Sequence, residues 1–107
     1  MFNEIQTHIK MLDKSIKSLR STGTNYAAAE RDYKMKLRQE ALRLRSDGEA
    51  IGMIDKCVYG VPEVAQARFE RDVAEAVYKA NLESIQATKL KIKVLENQYD
   101  KEWGNAK

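Results

Sequence analysis

Cys57 and His8 are the only cysteine and the only histidine in this 107-residue chain, so its nucleophilic and metal chemistry has few places to start. A thiol becomes a nucleophile when a nearby base or cation stabilises the thiolate. The one imidazole lies far from Cys57 in sequence, and the expected place for Cys57 is a buried position in a helical cap. A lone cysteine forms no internal disulfide, and with a lone histidine it offers no ligand set for zinc. The carboxylates Asp47, Glu49, Asp55 and Glu63 do not follow the spacing of a calcium loop. They read as solvating groups. Glu30 is the other acid of interest, because it falls on an apolar stripe where a general acid or a register-fixing polar residue could sit. Tyr78 or Lys79 is the expected partner of its carboxylate. No phosphate-cradling glycine motif occurs, and no nucleophile, base and oxyanion donors converge in sequence. The expectation is a protein without catalytic residues, metal or cofactor.

Chemistry of the surface is better represented. Residues 1–20 hold four basic and two acidic groups, 31–45 six and two, 46–63 one and four, and 81–107 five and four. The cap is acidic and the arms are basic. Lys10, Lys14, Lys17 and Arg20 are expected at a similar height to Lys89, Lys91 and Lys93 once the chain folds back, forming a cationic band for phosphates. The formal net charge of +3 is modest for a nucleic-acid binder. The partner-binding candidates are therefore Lys14, Lys17, Lys89 and Lys93, together with Arg31, Lys34 and Arg38 on the polar face of the first arm.

Two long helices must carry these groups. Ile5, Ile9, Leu12, Ile16, Leu19, Gly23, Tyr26, Glu30, Tyr33, Leu37 and Leu44 keep steps of three and four apart from one of seven, which is one apolar stripe on one helix. Gly23 lies within "STGTN", a stretch that resembles a breaker, yet the register crosses it unchanged. A continuous or mildly kinked helix follows. The second helix starts at Pro62, whose missing N–H suits a first helical position. It has two apolar sides: Val77, Tyr78, Leu82, Ile85, Ile92, Leu95, Tyr99 and Trp103 on one, and Phe69, Val73, Ala76, Ala80, Ala87, Leu90 and Val94 nearly opposite. The first helix can cover only one of them. A second copy of the chain is expected on the other, with Ala87, Leu90 and Val94 at the interface.

Between the arms, "SDGEAIGMIDKCVYGVPEV" holds Gly48 at a helix C-terminus and Gly60 before Pro62. Ile51, Ile54 and Val58 mark one apolar edge of a short helix. The "IDKCVYGVPEV" run echoes a DNA-reading helix-turn-helix, but Lys56 occupies the small-residue position before Gly60, and the following helix is too long. The stretch reads as a hairpin cap. The expected fold is all-α: a single helical-hairpin domain over 1–107, coiled-coil-like, with antiparallel arms at about 3–46 and 62–103 and a cap at 47–61, assembling into an oligomeric bundle. Each arm would extend about 60 Å at 1.5 Å per residue. No apolar run approaches the roughly 18 residues of a membrane span, which makes a cytosolic address the expectation.

The run from Tyr26 to Trp103 resembles a group of small helical proteins from bacteriophages and prophages of Gram-positive bacteria. Tyr26, Glu30, Tyr33, Gly48, Gly60, Arg68, Asp72, Ala74, Tyr78, Lys89 and Leu95 carry the likeness. It implies a phage origin and a place in the cytoplasm of the bacterial host cell, and brings no catalytic residues. The expected function is occupation of a bacterial host protein, such as a CRISPR nuclease or a defence signalling component, without turnover. A DNA-binding accessory of phage replication or recombination is the alternative.

Overall fold

The structure, a computed structural model, describes residues 1–105. Three α-helices follow in order, α1 (Phe2–Ser46), α2 (Ile51–Cys57) and α3 (Pro62–Asn105), with a 3₁₀ turn at Val58–Gly60 and no strand among the described residues. This is the all-α antiparallel hairpin with a short capping helix that the periodicity predicts. Helix α1 runs through Gly23 without interruption, as the unbroken stripe requires.

The cap ends α1 as the glycine placement predicts. Gly48 takes a φ of +90°, a conformation open to a residue without Cβ. Its N–H donates to Arg45 O at 3.1 Å, and that of Glu49 donates to Leu44 O at 3.1 Å. These two bonds satisfy carbonyls that the helix end leaves without partners. At the other side Val61 is extended, as a residue before proline must be, and α3 begins at Pro62. Two details of the cap differ from expectation. Ile51 is 69% exposed, while Ile54 and Val58 are buried, so the inward edge of α2 is carried by the latter pair. Cys57 is exposed rather than buried, because Val58 beside it takes the inward place.

Contacts along the hairpin gather into two compact units. One comprises Gly23–Val77, the other Met1–Thr22 with the chain from Tyr78 onward. In the cap-bearing unit, Tyr33, Val58 and the fully buried Val64 form the core, with Leu37, Ala41, Leu44, Val61 and Ala67 packed against it. In the terminal unit the start of α1 lies antiparallel to the end of α3. Ile5, Ile85, Ile92 and Leu95 are buried. Phe2 and Tyr99 rings meet at 6.3 Å between centroids, and Trp103 continues the stack at 5.9 Å from Tyr99.

A polar layer interrupts the apolar one in this terminal unit. Asn81 donates through Nδ2 to Ser15 O at 2.9 Å, and its Oδ1 accepts from Thr22 Oγ1 at 2.8 Å. Both ends of the amide are thus held, which ties α1 and α3 to one register. The layer also explains why Ile16, on the stripe by spacing, is exposed. Ser15 is half-buried beside Asn81, and Ile16 is turned out.

Candidate functional site

Within the cap-bearing unit the most concentrated polar chemistry lies between α1 and α3. Tyr26 donates from its hydroxyl to Glu75 Oε2 at 2.7 Å. Glu30 Oε1 stands 3.8 Å from Arg71 Nη1 and 3.8 Å from Lys34 Nζ. The Arg71 guanidinium lies 4.5 Å over the Tyr33 ring and is held by Asp72 Oδ1 through Nε at 3.0 Å and Nη2 at 2.8 Å. Glu30 is therefore half-buried and ion-paired, with Arg71 from the opposite helix and Lys34 one turn on. A carboxylate so engaged is suited to fixing register rather than to donating a proton.

The Glu-Arg-Asp tripeptide occurs twice, and the structure separates the copies. Arg31 grips Asp32 at 3.3 Å on an exposed surface, whereas Arg71 makes the same bond while facing α1. Helix phase decides between them: Arg71 lies one seven-residue step after Val64 on the covered side of α3.

Two carboxylates act on Tyr26. The hydrogen bond to Glu75, then that to Glu30, pushes the phenol pKa from 10.0 up to about 12. A folded-state pKa above the unfolded value means that this contribution to stability is complete below about pH 10 and disappears as the pH rises through about 12. Tyr26→Phe should therefore lose less stability than the wild type across that interval. Thermal midpoints of both chains, measured at steps from pH 8 upward, check this. Parallel curves would contradict it.

The sequence-derived cations separate into three places. Arg31, Lys34 and Arg38 are exposed on the outer side of α1 in the cap-bearing unit. Arg38 lines an open groove of about 270 Å³ with Arg45, Leu42, Ile51, Ile54 and Asp55. In the terminal unit, Lys14 and Lys17 belong to α1 and Lys89 and Lys93 to α3, all exposed. The register set by Phe2 against Tyr99 and by Ser15 Oγ near Ser84 Oγ, at 3.5 Å, brings Lys89, Lys91 and Lys93 level with the His8–Met11 stretch. Lys10 is the α1 lysine at their height. Lys14 and Lys17 stand nearer the level of Ser84 and Ala87, so the expected band is staggered rather than continuous.

His8 and Cys57 fall in different units. The His8 ring donates from Nδ1 to Glu4 O at 2.8 Å on its own helix. Among the described residues, no group of three or more histidine, cysteine, aspartate or glutamate side chains is placed to hold a metal ion, and no helix is long and apolar enough to cross a membrane.

The other candidate surface is the second face of α3. Phe69 and Val73 are exposed in the cap-bearing unit, and Leu90 and Val94 in the terminal unit. Ala87 beside them is exposed as well. The covered side is narrower than its apolar pattern suggested, since Val77, Leu82 and Trp103 also reach solvent. Inward places there go to Arg71, Ala74, Glu75, Tyr78 and Asn81. Arg71, Glu75 and Asn81 were not read as site residues from sequence; the signal was their helical phase, with Arg71 seven and Glu75 eleven residues after Val64, and Asn81 four before Ile85.

The fold and these surfaces define a helical hairpin with an unburied apolar face. No protein-family model, curated protein or solved structure matches the chain.

Proposed function

We propose that this chain acts by occupancy rather than turnover, as a small phage protein that binds a component of its bacterial host and so blocks a defence system, a CRISPR nuclease or a defence signalling protein being the class of target. The observation that carries the binding part is the exposure of large apolar side chains on α3, with Phe69 at 62% and Leu90 at 63%. Surface of this kind is what an interface uses. The phage and host assignment rests on the sequence resemblance. In this reading α3 serves assembly with a second copy through Ala87, Leu90 and Val94, and the outer side of α1 around Arg31, Lys34 and Arg38 meets the target.

The test is expression of the chain in a bacterium with an active defence system, followed by phage challenge. Wild type should raise plaque counts. The triple reversal of Arg31, Lys34 and Arg38 to Glu should abolish that rise while helicity is kept, because exposed charges steer association strongly and contribute little to folding. Retained activity in the triple variant would refute the assignment of this face. Binding to bare DNA that weakens steeply with salt, and that is lost on replacing Lys14, Lys17, Lys89 and Lys93, would support the replication accessory instead. The staggered lysines make that reading the weaker one.

A further inference from the structure

The uncovered face of α3 carries a pattern that specifies its own partner. Helix α3 is uninterrupted from Pro62 to Asn105. Along it, Phe69, Val73, Ala76, Ala80, Glu83, Ala87, Leu90 and Val94 alternate steps of four and three, the seam of a coiled coil. All eight are exposed. The positions flanking this seam carry charge in two blocks, Glu70 and Asp72 towards the start and Lys91 and Lys93 towards the end, with Lys79 between them.

We propose that two copies of the chain pair antiparallel through this face, about a two-fold axis beside Asn81 and Leu82. The proposal deepens the assembly reading above and rests on it. In an antiparallel pair, each seam residue of one type faces the other type across the axis. Phe69 then meets the second copy's Val94, Val73 its Leu90, and Ala76 its Ala87. The small alanines near the middle let the helix axes approach closely, within the usual 8–10 Å. Next to the axis Glu83 faces Ala80, whose small side chain leaves the carboxylate a path to water. The flanks decide the register. Glu70 comes beside the second copy's Lys91 and Asp72 beside its Lys93, and symmetry makes each pair twice. Sliding one copy by a heptad brings Lys79 against the second copy's Lys93 in one direction and against its Lys79 in the other. Parallel pairing sets Asp72 opposite Val77 and Lys93 opposite Gln98, with no charge matched. One arrangement pairs every flanking acid with a lysine and opposes no like charges.

Charge exchange tests this directly, read by sedimentation equilibrium on the full chain with helicity checked by circular dichroism. Wild type is expected to be a dimer at tens of micromolar. The variant Lys91→Glu with Lys93→Glu opposes like charges four times, as does Glu70→Lys with Asp72→Lys, and each alone should dissociate about 100-fold more readily. Mixed in equal amounts, the two variants match all four pairs and should form a heterodimer near wild-type affinity. Because Asp72→Lys also removes a partner of Arg71, a second measurement is independent of charge. In a Cys57→Ser background, Ala76→Cys and Ala87→Cys copies should oxidise to a mixed disulfide on combination, and neither should do so alone, since facing seam positions are within disulfide reach. A monomeric wild type overturns the assembly reading together with the register. A dimeric wild type whose reversed variants stay dimeric, or whose mixture fails to associate, overturns the register alone.

Discussion

Tyr33→Ala is expected to lower the unfolding free energy by about 3–5 kcal/mol, the range for deleting a large aromatic side chain from a core. The ring is 7% exposed and packs with Val58 and Val64 in the centre of the cap-bearing unit. Its loss would leave a cavity that Leu37 and Ala41 are too constrained by their helix to fill. It would also take the aromatic surface from beneath the Arg71 guanidinium, now 4.5 Å above it, although Asp72 and Glu30 would still hold that charge. Tyr33→Phe keeps the ring and should cost less than about 1.5 kcal/mol. A loss of the size expected for Tyr33→Ala is a large share of the roughly 5–15 kcal/mol that a folded domain possesses. Urea titration followed by circular dichroism measures it. A cost below about 1 kcal/mol for Tyr33→Ala would mean that the cap is not held by this cluster.

Helix ends and apolar spacing make the fold legible in the sequence itself. Pro62 and Gly48 each act through one local geometric constraint, a fixed φ and a left-handed one, and each sits where that constraint implies. The stripe of α1 likewise places Ile5 and Tyr33 inward, where both are buried. Polar layers are harder to read. Asn81 and Arg71 occupy inward positions because a partner on α1 satisfies them, and a hydrophobicity pattern has no means of showing the partner. Treating Val77 and Leu82 as inward for being apolar displaces the polar residues that hold those places. Cys57 shows the same weakness: a residue type that is usually buried is assigned inward although Ile54 and Val58 already fill that edge. The opposed face of α3, by contrast, is legible, because two apolar stripes on one helix exceed what one partner helix can cover.

Two leucines on that helix make the sharpest comparison. Leu95 is 4% exposed and Leu90 is 63% exposed, so identical side chains five residues apart face opposite ways. Leu95→Ala should destabilise the chain by about 2–5 kcal/mol, since it removes buried methyl groups and leaves a cavity beside Ile92. Leu90→Ala removes atoms that water already reaches in the single chain. At concentrations low enough to keep the chain monomeric, it should change stability by no more than about 0.5 kcal/mol. At higher concentration the ranking should tighten, because stability then includes association and Leu90 lies in the proposed interface. Urea midpoints of wild type, Leu90→Ala and Leu95→Ala at low and high micromolar concentration separate the two effects. The Leu95→Ala deficit should be similar at both, whereas the Leu90→Ala deficit should grow with concentration. A Leu90→Ala deficit that is large and independent of concentration would place this side chain in the core of the hairpin and remove the face from any interface.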